Sequence, residues 1–438
     1  MKSAVRWQVR VSRSIFHFVI QAAALSIIAN VARGQATLPT NILYSFTGTG
    51  AGVGVLPEGA LLQSGSDFYG LTVYGGTDND GTMFQFDPAT DDVTLLHTFS
   101  GSTTDGANPY ASLIQSGSNL YGMTALGGSY VTPRNQPANF GALFQYNLGT
   151  KTETMLYPFA GSPNDGSKPY GSLIQSGSVL YGLTSTGGAS SLGALIQYNV
   201  TTGNENVLHD FAGGTSDGST PFGSLIQSGS VLYGMTIAGG TGGTDGDGAI
   251  FDYDLAANAE SMIYSFGGST TDGAGPAGSL IRSGSNLYGM TSAGGAQGLG
   301  TIFQYNLLTG DETLLYSFQG GPADGADPIG SLILSGSTLY GLTNEGGSPN
   351  GAGLGTVFDY DLTTGTENVL HYFTGSPTDG AFPRGDLTLS GSTLYGMTAE
   401  GGTDDGGVIF SITVPEPASV SLLALSGVAL LCRPRRET

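Results

Sequence analysis

The stretch that decides the fold begins with Gly278-Ser-Leu-Ile-Arg-Ser-Gly-Ser-Asn-Leu-Tyr-Gly-Met-Thr-Ser-Ala-Gly-Gly295. After a short loop it continues with Gly300-Thr-Ile-Phe-Gln-Tyr-Asn-Leu-Leu-Thr-Gly-Asp-Glu-Thr-Leu-Leu-Tyr-Ser-Phe318. Four short apolar runs, separated by polar and mostly glycine-containing turns, predict four β-strands, which we label a to d. In run c, Phe303 and Tyr305 flank the polar Gln304, as expected for a strand with two different faces.

The same unit recurs along most of the chain. Its signature, Tyr-Gly-(Leu or Met)-Thr, starts at seven positions, which are Tyr69, Tyr121, Tyr181, Tyr233, Tyr288, Tyr340 and Tyr395. The spacings are 52, 60, 52, 55, 52 and 55 residues, and all of this variation lies in the loop between strands b and c. Four-stranded units of about this length are typical of propeller blades.

The two ends of the repeat region favour a closed ring. The region opens with a lone strand d, Ile42–Phe46, and closes with strands a to c of the seventh unit, which ends at Val408–Thr413. A ring needs such a shared sheet, because closure removes the exposed strand edges. The sequence therefore predicts an all-β, seven-bladed β-propeller in which the N-terminal strand d joins the C-terminal strands a to c. An open β-solenoid is the alternative.

The repeat resembles the GloVer-type tandem repeat of "choice-of-anchor" bacterial surface proteins. The likeness rests on Leu-Tyr-Gly-Met-Thr-x-x-Gly-Gly and the following Gly-x-Ile-Phe-x-Tyr, and it covers residues 41–413. Kelch blades share the Gly-Gly pair, but the Trp typical of kelch is absent, since the one Trp of the chain is Trp7. The resemblance implies a C-terminal anchor and implies no known reaction.

The N-terminus predicts export. Residues 1–36 combine a basic start, an apolar run from Ile15 to Ala32, and small residues near 34–36, as in a cleaved secretory signal. An uncleaved membrane anchor is the alternative reading of this segment. We therefore assign residues 37–413 to the propeller.

The C-terminal residues 414–438 have three parts in a fixed order. They comprise the motif Pro415-Glu416-Pro417, an apolar run from Ala418 to Cys432, and a basic cluster of Arg433, Arg435 and Arg436. This tail resembles the PEP-CTERM sorting signal. The resemblance implies an exosortase as a processing partner, transient anchoring in the inner membrane, and a final location at the cell surface or outside the cell.

The composition excludes several classes of function. Residues 37–414 hold five basic and 32 acidic residues, a net charge of −27, which repels the phosphates of nucleic acids. The single cysteine, Cys432, excludes an intramolecular disulfide and a Cys-based zinc site. The region between the termini carries no Gly-x-Ser-x-Gly, His-Glu-x-x-His or phosphate-binding Lys motif, so no catalytic residue is assigned.

Six repeats share an Asp-Gly pair followed by Pro in the connection from strand d to the next strand a. The aspartates are Asp105, Asp165, Asp217, Asp272, Asp324 and Asp379. An Asp that caps a turn before a glycine explains the pattern. A ring of six carboxylates at the channel mouth, able to collect cations, is the functional hypothesis.

Calcium is the only cofactor that the sequence suggests. Asp78 and Asp80, and likewise Asp245 and Asp247, form the Asp-x-Asp-Gly start of many calcium loops, but no downstream Glu has the required spacing. One position of strand d holds a histidine in three repeats, His97, His209 and His371, and a tyrosine in the other four. They fall on non-adjacent repeats, so a metal shared among them is not expected, and packing explains them.

One loop stands out from the repeat background. Ser129–Phe140 is three times the minimal length and contains Tyr130, Arg134 and Phe140, which we take as candidate ligand-binding residues. Tolerated surface decoration is the alternative. The leading functional hypothesis is a non-catalytic surface or matrix protein that binds an exopolysaccharide or a surface protein through its loop face. A polysaccharide hydrolase or lyase and a calcium-dependent adhesin are the alternatives.

Overall fold

The computed structural model describes residues 37–47, 52–131, 137–243, 246–347 and 353–415. The predicted signal and residues 416–438 of the predicted sorting tail lie outside these ranges, as do Arg134, Asp245 and the side chain of Tyr130. The described residues form strands and turns without a helix. Accordingly, no helix in this part of the chain is long and apolar enough to cross a membrane.

The main strands form seven four-stranded antiparallel sheets, one for each repeat, and these are the blades of a ring. The a strands are Leu62–Ser64, Ile114–Ser116, Ile174–Ser176, Ile226–Ser228, Ile281–Ser283, Ile333–Ser335 and Thr388–Ser390. The b strands are Asp67–Thr72, Asn119–Thr124, Val179–Thr184, Val231–Gly239, Asn286–Thr291, Thr338–Thr343 and Thr393–Thr398. The c strands are Thr82–Asp87, Ala142–Asn147, Ala194–Asn199, Ala249–Asp254, Thr301–Asn306, Thr356–Asp361 and Val408–Thr413. The d strands of blades 1 to 6 are Asp92–Thr98, Thr152–Pro158, Asn204–Asp210, Ala259–Ser265, Glu312–Ser317 and Thr366–Tyr372.

The seventh blade closes the ring as predicted. Its strand d is Thr40–Ser45 from the start of the region, paired antiparallel with strand c, Val408–Thr413, from its end. Ile42 faces Phe410 across this seam. The seven-bladed propeller is therefore confirmed, and the solenoid alternative is wrong, because an open stack would leave these two strands unpaired.

Short strand pairs extend most blades beyond strand b. They join Gly106–Ala107 to Leu126–Gly127, Gly166–Ser167 to Thr186–Gly187, Gly273–Ala274 to Ala293–Gly294, Gly325–Ala326 to Glu345–Gly346, and Gly380–Ala381 to Glu400–Gly401. In blade 4, Gly218–Pro221 pairs directly with the longer strand b. In these pairs, the connection between strands d and a is hydrogen-bonded to the end of strand b of the next blade.

A glycine and a phenylalanine explain the signature of strand b. In six blades the phenylalanine of strand c lies directly over the glycine of Tyr-Gly-(Leu or Met)-Thr; in blade 1 these are Phe84 and Gly70. A Cβ at this glycine would collide with the ring. Blade 3 has Ile196 instead of Phe, and there Met123 of blade 2 fills the space over Gly182.

The core lies between blades rather than inside one. Seven buried apolar clusters each combine side chains of two consecutive blades. The apolar run of each strand d ends in a completely buried Phe. Most of these rings contact the strand-c Phe of the next blade edge-on; the ring centroids of Phe99 and Phe144, for example, are 5.1 Å apart. A blade therefore depends on its neighbours for burial, and a missing blade or strand would expose a large apolar face.

Strand a begins two residues later than its sequence predicts. The expected run was Ser-Leu-Ile-Gln, and the observed strand in blade 2 is Ile114–Ser116. The reason is that the backbone N–H of Ser112 donates to the hydroxyl of Ser172 in the next blade instead of to strand b. The residues just before strand a thus belong to the centre of the ring and not to the sheet.

The chain direction fixes which loops share a face. Strand a leads away from the d–a connection, strand b returns, and strands c and d repeat the same path. The d–a connections and the b–c loops therefore lie at one end of the blades, here called the loop face. The a–b and c–d turns lie at the opposite end.

Candidate functional site

A cavity of about 260 Å³ lies where the seven blades converge on the loop face. Its wall is built from the same three consecutive repeat positions in almost every blade, just before strand a. In blade 3 these are Tyr170, Gly171 and Ser172. Because equivalent residues of a closed ring can meet only on its axis, this cavity is the mouth of the central channel, which we call the channel mouth.

A circle of hydrogen bonds supports the wall. The residue at the third position donates its backbone N–H to the side-chain oxygen at the same position of the next blade, at 2.7–2.9 Å in five cases. The donors are Ala60, Ser112, Ser172, Ser224 and Ser279, and a sixth bond runs from Ser331 to Asp386. The circle is interrupted only at the seam, because Ala60 offers no oxygen to blade 7. The repeated serine is therefore a link between blades.

The second position is glycine in six blades because there is no room for a side chain. A Cβ on Gly223 would collide with the carbonyl oxygen of Gly278 in the next blade, and Gly171 stands in the same relation to Gly223. These glycines do not have a positive φ, so the requirement is one of space and not of backbone conformation.

The first position differs from blade to blade, although its neighbours do not. From blade 1 to blade 7 it holds Glu58, Tyr110, Tyr170, Phe222, Ala277, Ile329 and Arg384. In each blade it follows a proline and precedes the small second residue. Sequence analysis missed this site. The available signal was a position that holds six different residue types in seven repeats, between nearly constant neighbours.

Three consecutive blades give the channel mouth an aromatic side. The rings of Tyr170 and Phe222 are stacked, with centroids 4.7 Å apart and planes 17° apart. Tyr110 meets Tyr170 edge-on at 5.0 Å. All three side chains are half-buried, so part of each ring is presented to the cavity. Burial, together with Tyr74 and Glu58, raises the pKa of Tyr110, which keeps its hydroxyl protonated and able to donate.

The side of the channel mouth next to Tyr110 is charged. Arg384 Nη1 lies 2.7 Å from Glu58 Oε1 across the interface between blades 7 and 1. Burial raises the pKa of Glu58, and the attraction of Arg384 opposes this shift. Next to them, burial raises the pKa of Asp386, which accepts the N–H of Ser331. The two carboxylates of the cavity thus already have partners.

One polar group in the wall has its bonding incomplete. Asn344 donates through Nδ2 to Asp327 Oδ2 at 3.0 Å. Its Oδ1 atom is buried and has no hydrogen-bond partner among the described residues. A buried acceptor without a donor costs free energy.

The sequence of this region matches a known family. The model of the Gloeobacter/Verrucomicrobia repeat matches residues 30–244 and, in a second copy, residues 241–410. The chain belongs to the Gloeobacter/Verrucomicrobia repeat family. This finding confirms the GloVer-type resemblance of the repeats, while the likeness of the tail to a sorting signal stays a prediction. No curated protein sequence matches the chain.

Solved structures show the same fold for this Gloeobacter/Verrucomicrobia repeat protein. An oligogalacturonate lyase, solved in complex with manganese, is 13% identical, with a TM-score of 0.51 over 87% of this chain and 98% of the other. A puromycin-hydrolyzing peptidase of Mycobacterium tuberculosis is 14% identical, with a TM-score of 0.51 over 86% of this chain and 55% of that one. At these identities the likeness extends to the fold alone.

The six Asp-Gly aspartates of this repeat protein do not line the channel mouth. Five of them are at most 8% exposed, and Asp272 is half-buried. Each accepts the backbone N–H of the residue five positions earlier, at 2.6–3.0 Å, as Asp165 does from Ala160. The hypothesis of a solvent-facing acidic ring is therefore corrected: the carboxylates fold back into their own turns, as the capping alternative expected.

The calcium candidates lie in the b–c loops. The carboxylates of Asp80 and Asp247 lie over glycines of the following d–a connection, Gly101 and Gly268. Burial, and then the nearby Asp78 and Asp105, raise the pKa of Asp80. Asp245 lies outside the described residues. Within those residues, the clusters of three possible metal ligands include neither Asp80 nor Asp247, and calcium binding stays a prediction.

The long loop of blade 2 forms a small hairpin on the loop face. Its strands are Ser129–Val131 and Pro137–Asn139. Phe140, which follows the hairpin, packs against the core between blades 2 and 3, so its ring is needed for structure. The side chains of Tyr130 and Arg134 lie outside the described part of the chain, and a binding role for this loop stays a prediction.

Proposed function

We propose that this chain is an exported, non-catalytic surface or matrix protein that binds a glycan at the mouth of its central channel. The observation that carries the proposal is the division of the channel mouth into an aromatic and a charged side. Tyrosine and phenylalanine faces stack on the apolar faces of sugar rings. Arg384 and Glu58 offer donors and acceptors for sugar hydroxyls or a carboxylate.

The size of the cavity limits what enters it. Pockets that enclose a whole drug-sized ligand have volumes of roughly 300–1,000 Å³. The channel mouth is smaller, at about 260 Å³. It would therefore hold the end or a branch of a glycan, while the rest of the chain extends over the loop face, where the blade 2 hairpin is a second candidate contact.

Two features support binding rather than catalysis. The described residues that line the cavity include no His, Lys or Cys. The two carboxylates there, Glu58 and Asp386, already accept from Arg384 and from the N–H of Ser331. A pair of glycosidase carboxylates needs one group that donates a proton and one that attacks, whereas Glu58 is held in an ion pair and Asp386 is part of the circle of hydrogen bonds between blades.

The test is a screen followed by a titration. A glycan array of neutral and uronic-acid-containing oligosaccharides would identify the best binder, which is then titrated into the protein by calorimetry. Tyr170→Ala should weaken binding by about tenfold, because the stacked ring is lost. Leu308→Ala is the control, since Leu308 is an 83% exposed apolar residue of a c–d turn at the opposite face. Equal affinity of both variants, or cleavage of the oligosaccharide, would contradict the proposal.

The export part of the proposal has its own test. Replacing Pro415-Glu416-Pro417 with alanines should leave translocation intact but trap the chain in the inner membrane, because an exosortase would no longer process the tail. Cell fractionation with an antibody against the propeller would measure this. Normal release of the variant would remove the sorting role and leave the tail as a plain anchor.

A further inference from the structure

The outer edges of six of the seven blade interfaces repeat one arrangement of three groups. The His or Tyr of strand d lies beside the Asp of the following turn and beside a residue near the start of the next blade's strand d. In five interfaces that third residue is a glutamate; the five are Glu153, Glu205, Glu260, Glu312 and Glu367. None of these groups belongs to the channel mouth.

Two of the interfaces combine the glutamate with a histidine. His209, Asp217 and Glu260 form one such group, and His97, Asp105 and Glu153 form the other. In each group one possible ligand atom per residue lies within 4.8 Å of the other two. Both groups join two blades, since the glutamate comes from the blade that follows.

The distances at the first group suit a small cation. His209 Nε2 lies 3.2 Å from Asp217 Oδ2 and 3.9 Å from Glu260 Oε2. Ligand atoms about 2.0–2.1 Å from a tetrahedral ion are separated from one another by roughly 3.3 Å. The separation between His209 and Asp217 already has this value, and the separation between His209 and Glu260 exceeds it by about 0.6 Å.

Glu260 has a carboxylate oxygen that hydrogen bonding within the protein does not satisfy. Its side chain is 9% exposed. Its Oε1 atom is buried and lacks a hydrogen-bond partner within the part of the chain that the structure describes, as does Oε1 of the four equivalent residues Glu153, Glu205, Glu312 and Glu367. What distinguishes Glu260 and Glu153 is the histidine beside them. A buried carboxylate that is not fully paired is costly, and coordination of a metal ion is one of the ways in which proteins compensate this cost.

We propose that the His209–Asp217–Glu260 and His97–Asp105–Glu153 groups are two equivalent sites for a divalent transition-metal ion such as Zn²⁺, each linking two neighbouring blades. One imidazole nitrogen and two carboxylates suit zinc and its neighbours, whereas calcium prefers six to eight oxygen ligands. Water completes the coordination, because the His209 side chain remains 22% exposed. The two carboxylates balance the charge of the ion.

The other interfaces provide natural controls. His371 and Asp379 form the same pair at 3.1 Å, but the glutamate position there is Thr40, so only two ligands remain. Three further interfaces keep the aspartate and the glutamate but hold Tyr157, Tyr264 or Tyr316 in place of the histidine. The fold thus already accepts each single replacement that would remove a ligand.

The experiment counts bound ions on the full-length chain after treatment with a chelator. Equilibrium dialysis and calorimetry with Zn²⁺ should give two ions per wild-type chain. His209→Tyr and His97→Tyr should each remove one ion, and the double variant both. His371→Tyr is the matched control and should still bind two.

A second pair of variants keeps the test informative if a histidine variant folds poorly. Glu260→Thr and Glu153→Thr copy Thr40, which occupies the glutamate position at the interface between blades 6 and 7. Each variant should lower the affinity of its site for Zn²⁺ at least tenfold. Stoichiometry that is unchanged in the His97→Tyr, His209→Tyr double variant would overturn the proposal, as would the absence of zinc binding. Preference for Ca²⁺ at these positions would overturn the assigned class of metal.

Discussion

The interfaces between blades and the channel mouth are built by the same repeat, but the residues at the interfaces are nearly identical in all repeats and those at the channel mouth are not. The phenylalanine after strand d occurs in all seven blades and is completely buried in each, from Phe46 to Phe373. The first position of the channel mouth holds six different residue types in seven blades. Uniform positions hold the ring together, because every interface has the same space to fill. The varied position is free of that demand and can serve a ligand.

Removing the strand at the seam should have the largest effect. Deleting Leu38–Phe46 takes away strand d of blade 7, exposes the edge of Val408–Thr413 and removes a buried ring. We expect loss of cooperative unfolding or aggregation, since an unpaired edge recruits other chains. Differential scanning calorimetry would measure this, with a chain that lacks only residues 1–36 as the control. Similar melting of the two proteins would contradict the closed ring.

A side chain at the inner glycine circle should lower the stability of the ring. Gly223→Val places methyl groups where the carbonyl of Gly278 lies, and overpacking against backbone costs about 1–3 kcal/mol or more. Urea unfolding would give the change in free energy. Blade 2 carries Ala111 at this position, so Ala111→Gly is a control that should change stability by less than about 1 kcal/mol. Equal stability of Gly223→Val and the wild type would show that the circle is loose.

Substitutions at two phenylalanines, eleven residues apart, test the stability of the fold and the binding of the glycan separately. Phe211→Ala removes a completely buried ring and should cost about 3–5 kcal/mol of unfolding free energy, with unchanged glycan affinity of the folded protein. Phe222→Ala removes a half-buried ring of the channel mouth and should cost about 1 kcal/mol or less, with glycan affinity lowered about tenfold. Unfolding and binding measurements on both variants test the contrast. Equal loss of stability in both, without loss of binding in the second, would contradict it.

The stability of the propeller should also depend on pH. Burial, and then Asp324 and Asp359, raise the pKa of Glu367 to about 8, above its ordinary value of 4.5. The folded state therefore favours the protonated carboxyl, and this contribution is full below pH 4.5 and is lost as the pH rises towards 8. The wild type should lose melting temperature between pH 5 and pH 8 relative to Glu367→Gln. Parallel curves for the two proteins would show that this carboxyl does not titrate as inferred.

Much of the fold could be predicted, because the residues that determine each blade are close to one another in sequence. The phase of the repeat, with a lone strand d at Ile42–Phe46, was sufficient to predict the closed ring. The Asp-Gly aspartates were harder, because their partners become visible only when the turn is formed. Asp165, for example, accepts from Ala160 and from the hydroxyl of Tyr157 on the adjacent strand.

The channel mouth could not be predicted in the same way. Tyr110, Tyr170 and Phe222 are 60 and 52 residues apart, and each looks like an ordinary apolar residue after a proline. Their shared location can be recognised only in the folded ring, where the same repeat position of all seven blades lies near the common axis. The same holds for the His209 group, whose glutamate comes from the next repeat. Sequence analysis compared the histidines only with one another and did not find their carboxylate neighbours.

The central claim is that the varied position at the channel mouth, and not the uniform scaffold, binds the ligand. Hydrogen–deuterium exchange on the full chain, with and without the best oligosaccharide from the array, tests it most directly. The account predicts slower exchange in the segments that lead into strand a of blades 1, 2, 3, 4 and 7, around Tyr110, Tyr170, Phe222, Arg384 and Glu58. Protection confined to Ser129–Phe140, or to the turns of the opposite face, would contradict it.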